Sequence, residues 1–126
     1  MKQYLPQAEF PYFKKACEMF EILETTCFTY GEVCYTNYFP LSPDLVIHER
    51  HHTKQQNAIG KDLWWDKFFI DPEFRLQQEL ECYRKQIASI KDRNERFRLH
   101  LFCIDILSGP MYGNCVSKEE LVLLLK

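Results

Sequence analysis

Residues 42–52, with the sequence Ser42-Pro43-Asp44-Leu45-Val46-Ile47-His48-Glu49-Arg50-His51-His52, decide how this chain is organised. The first three residues predict the start of a helix, because serine is a favourable N-cap, proline is tolerated in the first turn, and aspartate places a negative charge at the positive end of the helix dipole. The H-E-x-x-H pattern that follows places two imidazoles four residues apart on one face of this helix, where both can bind one Zn²⁺. The stretch therefore predicts a helix that carries two ligands of a metal site.

The helical wheel distinguishes the three histidines of this stretch. At about 100° per residue, His48 and His52 share the inward, apolar face of the helix. His51 lies to the other side of His48, so we expect it at the rim of the site as a supporting residue. Glu49 lies off the line of the ligands but within reach of a metal-bound water, which its carboxylate can deprotonate. We therefore predict His48 and His52 as zinc ligands and Glu49 as the general base.

The third ligand is expected on the helix that begins at Asp71-Pro72-Glu73. Apolar residues recur along this helix with 4-3-4-3 spacing, at Leu76, Leu80, Tyr83, Ile87 and Ile90. Glu79 projects within this stripe, whereas Glu81 projects to the polar side. A carboxylate inside an apolar stripe is costly unless it is neutral, paired or bound to a metal. Glu79 is therefore the predicted third ligand, and Tyr83, one turn later, is expected to support it.

Two neutral imidazoles and one carboxylate leave a net positive charge on a zinc site, which lowers the pKa of a bound water. This chemistry predicts hydrolysis, in which Glu49 takes a proton from the water and passes it to a leaving amine. Tyr112, in the loop after the helix stop Ser108-Gly109-Pro110, is a candidate donor to the developing oxyanion. The competing interpretation is that the histidines only pack in the core or at an interface and that the glutamate is fortuitous.

The segments His48–His52 and Glu79–Tyr83 resemble the zincin metallopeptidases that use a glutamate as third ligand, the gluzincins. The second segment is similar to the E-x-x-A-D pattern of the prenyl-protein-protease-like group, with Cys82 where alanine is usual and Tyr83 in the place of the aspartate. Much of residues 28–117 also resembles small phage and bacterial proteins that carry the same zinc motif. The resemblance implies a minimal zincin-like fold and bound Zn²⁺, and it specifies no substrate.

The remaining pattern predicts a single, mostly helical α+β domain over residues 1–126, with a small β-hairpin or edge sheet. Apolar spacing predicts an amphipathic helix over residues 9–26. The runs 27–30 and 33–36, on either side of Gly31-Glu32, predict a hairpin. Such a hairpin either offers an edge strand to an extended peptide or only covers the core.

Three segments outside the site are expected to be helical. The aromatic segment 61–70 is interpreted as a short helix packed on the core rather than an exposed recognition patch, because two Trp and two Phe are costly to expose. Residues 95–107 are apolar on much of their surface, which predicts a well-buried helix. Ser117 and Glu120 form a capping box before a short final helix.

The composition is that of an ordinary globular protein, with 46% hydrophobic residues and a formal net charge of −2. This charge argues against a nucleic-acid binder that works by electrostatics. No apolar run approaches the roughly 20 residues of a membrane span, and the first residues lack the apolar core of a signal peptide. We therefore expect a cytoplasmic protein, in the host cytoplasm if it is phage-encoded.

The six cysteines, without a C-x-x-C pair, are expected to be free and mostly buried thiols.

The preferred function is zinc-dependent hydrolysis of peptide bonds in a peptide or protein substrate. The first alternative is a non-catalytic zincin-fold interaction or structural protein, associated with a phage or its host, in which zinc is structural or absent. The second is a zinc hydrolase that acts on a non-peptide amide, for example in cell-wall material.

Overall fold

The computed structural model describes residues 3–126, which form a mostly helical α+β domain and confirm the predicted fold class. In chain order the elements are β1 (Gln3–Leu5), α1 (Phe13–Met19), β2 (Phe28–Tyr30), β3 (Val33–Tyr35), α2 (Pro43–Ile59), α3 (Lys61–Ile70), α4 (Pro72–Ser89), α5 (Arg93–Leu107) and α6 (Lys118–Leu124). Two short 3₁₀ turns, Gln7–Glu9 and Pro110–Tyr112, complete the set within these residues.

The two helices that carry the candidate site, α2 and α4, begin where the sequence predicts. Ser42 is the N-cap of α2, and the helix ends at Gly60, whose φ of 97° is a conformation that glycine adopts without strain. Asp71 caps α4, because its carboxylate accepts hydrogen bonds from the backbone N–H groups of Glu73 and Phe74. These two helices pack along each other and form the centre of the domain.

The three-stranded sheet has the order β1-β3-β2, with β1 parallel and β2 antiparallel to β3. The predicted hairpin is confirmed, and Gly31 in its turn has a φ of 61°. Strand β2 lies at an edge of the sheet, where Gln56 of α2 is hydrogen-bonded to it. The side-chain amide of Gln56 donates to the carbonyl of Thr29 and accepts from the backbone N–H of Gly31. These bonds fix the sheet edge against the helix that carries the histidines.

The predicted helix over residues 9–26 is wrong in its length, because α1 spans only Phe13–Met19. Phe10 lies before the helix, and its buried ring stacks on Phe28 at a centroid distance of 4.5 Å. Pro11 contributes no backbone N–H, so it favours a helix that starts after it. The helix ends at Phe20, whose extended backbone lets its ring stack on Phe69. Tertiary packing of the two phenylalanine rings therefore overrides the helical spacing.

The segment 20–27 that follows α1 is irregular and is held by a buried glutamine. The amide of Gln7 donates to the carbonyl of Leu23 and to the carbonyl of Thr26, at 2.8 Å each. Two consecutive β-branched residues, Thr25 and Thr26, lower the helix propensity here. The segment consequently runs as a fixed loop into β2.

The buried apolar side chains form two clusters. The aromatic cluster consists of Phe10, Ala16, Phe28, Tyr35, Trp64, Trp65, Phe68 and Phe69. The aliphatic cluster consists of Leu76, Leu80, Ile87, Cys103, Leu107, Tyr112, Leu121 and Leu125. The prediction that the segment 61–70 packs on the core is thus confirmed for its two tryptophans and two phenylalanines, although Leu63 and Ile70 are exposed.

Helix α5 is much more exposed than its composition predicts. Its buried side chains are Cys103 and Leu107, whereas Phe97, Leu101 and Phe102 are 62%, 51% and 53% exposed. The prediction of a well-buried helix is wrong because α5 packs against α4, α6 and the 3₁₀ turn Pro110–Tyr112 on one side only. Its outer side remains apolar and open to solvent.

The other predictions about the chain are largely confirmed. Ser117 and Glu120 form the predicted capping box of α6. All six cysteines are free; Cys34, Cys82 and Cys103 are buried, but Cys17 and Cys115 are exposed, so the expectation of mostly buried thiols holds for only half of them. Across residues 3–126, no helix has the length and apolarity that crossing a bilayer requires.

Candidate metal centre

The structure brings together the three predicted ligand residues. Atom Nε2 of His52 lies 2.8 Å from Oε1 of Glu79, and Nε2 of His48 lies 3.3 Å from Oε2 of the same carboxylate. The centroids of the two imidazole rings are 5.0 Å apart. All three side chains are almost fully buried at the interface of α2 and α4. Two nitrogen donors and one carboxylate thus converge on one point.

The other nitrogen of each imidazole faces a glutamine side chain. Atom Nδ1 of His48 lies 2.8 Å from Oε1 of Gln86, and Nδ1 of His52 lies 2.9 Å from Oε1 of Gln55. An amide oxygen only accepts hydrogen bonds, so this arrangement keeps a proton on Nδ1 of each imidazole. The Nε2 atoms, which face Glu79, are left to carry either a second proton or a metal ion. The sequence analysis missed both roles. A signal for Gln86 was available, because it lies seven residues after Glu79 on the inward side of α4.

The two glutamines are themselves held in place. Gln86 donates from Nε2 to Oδ2 of Asp44 at 2.8 Å, and Gln55 donates to the carbonyl of Gln78 at 3.0 Å. Partial burial opposes ionisation of Asp44, but hydrogen bonds from Gln86 and Ser42 lower the pKa of this carboxyl. Asp44, in the first turn of α2, therefore orients His48 through Gln86. Side chains that span α2 and α4 fix the imidazoles in advance of any ligand.

The buried carboxylate of Glu79 requires a positive charge beside it. Burial opposes the charged form of Glu79, but the neighbouring His52 and His48 hold its pKa well below the usual range. Burial likewise favours neutral His52, whereas the Cys82 and Glu79 side chains raise its pKa well above the ordinary value. An ionised, buried carboxylate between two imidazoles needs a positive charge, which either a proton on histidine or a metal ion supplies. The donor set is one that fits Zn²⁺.

Cys82 is a candidate ligand that the sequence analysis did not propose. His48, His52 and Cys82 form a buried group whose donor atoms all lie within 4.8 Å of one another and which could hold a metal ion. The sulfur lies 3.3 Å from Nδ1 of His52, whereas Glu79 faces Nε2 of that ring. Burial raises the pKa of the Cys82 thiol to about 11, so the thiol is protonated at neutral pH. The sulfur and the carboxylate thus approach His52 from different sides.

Glu49, the predicted general base, is buried beside the ligand residues. Its Oε2 accepts a hydrogen bond of 3.0 Å from the hydroxyl of Thr29, on the edge strand β2. It lines the same cavity as His48, His52 and Glu79. The Thr29 hydroxyl therefore orients a carboxylate that is directed at the space beside the ligands.

The two predicted tyrosines also line this cavity. The ring of Tyr83 packs edge-on against His48, with a centroid distance of 4.5 Å. Burial, and after it the charge of Glu79, raises the pKa of both Tyr83 and Tyr112 well above the ordinary value. Both hydroxyls are consequently protonated at neutral pH and can donate hydrogen bonds.

His51 lies apart from the ligand residues. Its Nε2 is 3.3 Å from Oε1 of Glu81, a pair that lies toward solvent. The positions next to the ligand imidazoles are taken by Gln55 and Gln86 instead. This placement agrees with the choice of His52 over His51 and of Glu79 over Glu81 as the inward-facing residues.

The cavity beside the ligands, which we call the site cavity, has a volume of about 360 Å³. Its walls come from residues 20–29 and from side chains of α2, α3, α4, α5 and the 3₁₀ turn Pro110–Tyr112. Most of these side chains are apolar or aromatic, and the polar ones include His48, His52, Glu79 and Glu49. A largely apolar cavity with a few convergent polar groups is typical of a ligand-binding site.

Comparison of the chain with protein-family models, with curated proteins and with solved structures found no match.

Proposed function

We propose that this protein is a zinc-dependent hydrolase that cleaves peptide bonds, with His48, His52 and Glu79 as zinc ligands and Glu49 as general base. The observation that carries the proposal is the approach of both Nε2 atoms to one buried carboxylate, at 2.8 and 3.3 Å. Three protein ligands beside an accessible cavity are characteristic of catalytic zinc rather than structural zinc. The protein would then be a small member of the zincin class that its motif resembles.

The geometry favours Glu79 over Cys82 as the third ligand. The Nε2 atoms of both imidazoles face Glu79, because the Nδ1 atoms of His48 and His52 are hydrogen-bonded to Gln86 and Gln55. The sulfur of Cys82 lies beside Nδ1 of His52, on the other side of that ring.

The residues around the ligands can perform the proton transfers of hydrolysis. A zinc ion at this centre would polarise the substrate carbonyl and make water more acidic. Glu49 would accept the proton of the attacking water and deliver it to the leaving nitrogen, with its carboxylate oriented by Thr29. Tyr83 and Tyr112 are protonated donors on the cavity wall that could stabilise the developing negative charge on the substrate oxygen.

Strand β2 forms part of the wall of the site cavity, which Cys27, Phe28 and Thr29 line. The carbonyl of Thr29 already accepts hydrogen bonds from Gln56 and Trp65, so α2 and α3 cover this edge of the sheet. A peptide would therefore bind in the cavity beside β2 and would not extend the sheet. Phe28 also packs in the aromatic cluster, so the hairpin contributes to the core as well as to the cavity.

Metal content of four purified variants tests the ligand assignment. We expect one zinc per chain in the wild type and a loss of at least tenfold in zinc affinity for His52→Ala and Glu79→Gln. Cys82→Ala should retain zinc, and His51→Ala, on the same helix turn as His52, is the matched control. Stoichiometric zinc in His52→Ala, or loss of zinc in Cys82→Ala with retention in Glu79→Gln, would show that the ligand assignment is wrong.

Glu49→Gln tests the catalytic assignment separately. This variant should keep its zinc and lose hydrolysis of a peptide library by a factor of about 10²–10⁴, the usual contribution of a general base. If wild type cleaves no peptide, or Glu49→Gln cleaves as fast as wild type, the catalytic proposal is wrong. The exposed apolar side of α5 would then favour the second candidate, a zincin-fold interaction protein.

A further inference from the structure

We infer that the site cavity selects an uncharged, apolar segment from the interior of a polypeptide chain, and that Phe102 and Met111 determine this specificity at the mouth of the cavity. The inference deepens the proposed function and rests on it for the reaction. Its evidence is the charge of the cavity wall, the exposure of the mouth, and the contacts that hold the mouth in place.

The charge of the wall disfavours a free C-terminal carboxylate. Among residues 3–126, the side chains that line the site cavity include no lysine and no arginine. The charged groups there are the carboxylates of Glu21, Glu49 and Glu79, together with the imidazoles of the ligand pair. Recognition of a terminal carboxylate requires a cationic or strongly hydrogen-bonding partner, and nearby carboxylates repel it. The wall therefore disfavours a substrate whose C-terminal carboxylate enters the cavity, and peptides capped at both ends test whether it accepts the interior of a chain.

The mouth of the site cavity is open to solvent and largely apolar. Leu23, Phe102 and Met111 line the cavity, yet they are 56%, 53% and 39% exposed. Glu21 and Thr25 are the polar residues that line the cavity and are exposed. They come from three separate parts of the chain: the segment 20–27, α5, and the 3₁₀ turn Pro110–Tyr112. Covering these side chains with apolar groups of a ligand removes their remaining surface from water, which favours binding. A small polar amide cannot cover a mouth of this kind.

The mouth is also held in place by buried polar side chains. Arg75 donates from Nε to the carbonyl of Met111 at 2.9 Å, and Gln7 donates to the carbonyl of Leu23 at 2.8 Å. Both of these donor residues are buried. A preformed binding surface loses little entropy when a ligand binds. Met111 and Leu23 are therefore positioned to discriminate between side chains, and Phe102 is carried by a helix.

Helix α5 provides a matched pair of variants. Phe102 lines the cavity, whereas Phe97 lies on the same helix, is similarly exposed, and does not line it. With zinc-loaded protein and peptides capped at both ends, we expect interior cleavage of a Leu/Phe-containing peptide and much slower cleavage when Asp replaces those residues. Phe102→Ser should lower kcat/KM for the apolar peptide about 10- to 100-fold, mainly through KM, because it removes an apolar contact. Phe97→Ser should stay within about twofold of wild type, as expected of a surface change.

Three cleavage results would overturn the inference: release of single residues from either end of uncapped peptides, preference for the Asp peptide, or equal losses in Phe102→Ser and Phe97→Ser. Binding distinguishes these outcomes from failure of the proposed function. The two tryptophans of the chain, Trp64 and Trp65, both line the cavity, so their fluorescence reports binding of the same capped peptides to zinc-loaded Glu49→Gln. If no peptide is cleaved but this variant binds the apolar peptide, and adding Phe102→Ser weakens that binding, only the hydrolase proposal fails. If the apolar and Asp peptides bind equally, the inference fails.

Discussion

The aromatic and aliphatic clusters bury similar numbers of apolar residues but cover them differently. In the aromatic cluster each ring contacts others: Trp64 stacks on Phe68 at 5.0 Å, and Phe10 contacts Trp65 at 4.7 Å. The sheet, α1 and α3 enclose these rings from several directions. The aliphatic cluster lies along one side of α4, α5 and α6, and it leaves the outer side of α5 exposed. The aromatic cluster is thus enclosed, and the aliphatic cluster is covered on one side only.

This difference shows that a segment rich in apolar residues can be either buried in the core or exposed beside the cavity. Residues 61–70 and 95–107 are both rich in large apolar side chains, and the first segment belongs to the core. In the second segment, Phe102 reaches the mouth of the site cavity and stays half exposed. Exposed apolar groups beside a cavity are characteristic of binding surfaces. The aromatic cluster therefore contributes to stability and also forms part of the cavity wall through Phe28, Trp64, Trp65 and Phe68. In the proposed function, the open side of α5 contributes ligand contacts through Phe102.

The largest expected effect on stability follows from opening the aromatic cluster. Phe69 is almost fully buried among Tyr12, Phe20 and Trp65, and it does not line the site cavity. Phe69→Ala should lower the free energy of unfolding by about 3–5 kcal/mol, because it removes buried area and leaves a cavity. Urea denaturation of the purified variant measures this change. A loss below about 1 kcal/mol would show that the rings repack and that the cluster is less rigid than its contacts indicate.

A somewhat smaller effect is expected in the aliphatic cluster. Leu107 is completely buried, and Leu107→Ala should lower the free energy of unfolding by about 3 kcal/mol. The double variant Phe69→Ala/Leu107→Ala asks whether the clusters are independent. Additivity within about 0.5 kcal/mol is expected for separate clusters. A larger deviation would mean that the two clusters behave as one core.

Arg75 is the residue that links the two regions. Its Nη1 donates to the carbonyls of Phe68 and Phe69 at the end of α3, and its Nε donates to the carbonyl of Met111. Arg75→Lys should cost about 2 kcal/mol, because an ammonium cannot reproduce the geometry of these bonds and leaves buried carbonyls unpaired. Denaturation measures the loss, and unchanged zinc content is the control. The KM for the peptide should rise as well, because Met111 loses the hydrogen bond that holds it. If the variant loses stability but keeps the wild-type KM, the bond from Arg75 does not position Met111 for peptide binding.

The smallest effect concerns the exposed edge of the aromatic cluster. The hydroxyls of Tyr12 and Tyr30 both donate to Oδ1 of Asp62, at 2.6 and 2.7 Å, and this carboxylate raises the pKa of both tyrosines to about 12. A raised pKa of an acid means that the associated stability is complete below the ordinary value of about 10 and is lost as the pH rises toward 12. Because these groups are exposed, the effect on unfolding should be slight.

Ultraviolet absorbance followed through a pH titration measures the ionisation of the tyrosines. In Asp62→Asn, Tyr12 and Tyr30 should ionise at lower pH than in wild type, closer to the ordinary value for tyrosine. Asp105→Asn, at a distant exposed carboxylate that pairs with Lys118, should leave the titration unchanged. Identical titration curves for wild type and Asp62→Asn would mean that the hydrogen bonds do not persist in solution.

The features that local chemistry controls could be predicted from the sequence. The proline and N-cap signals set the starts of α2 and α4, Gly31 set the hairpin turn, and helical periodicity placed His48, His52 and Glu79 on facing sides of two helices. These features are predictable because capping, backbone conformation and the angle between side chains depend on near neighbours in the chain. The choice of Glu79 over Glu81 followed from the same periodicity.

The tertiary structure alone decided which apolar sides are covered and which polar groups meet at the site. It shortened the helix predicted over 9–26, left the outer side of α5 in water, and brought Gln86 and Cys82 next to the imidazoles. None of these features can be predicted from the local sequence pattern. Burial depends on which distant element packs against one side of a helix. His48 and Gln86 are 38 residues apart, and helical periodicity does not relate residues on different helices. Phe102 illustrates the distinction: its place on a helix is local information, and its place at the mouth of the cavity is not.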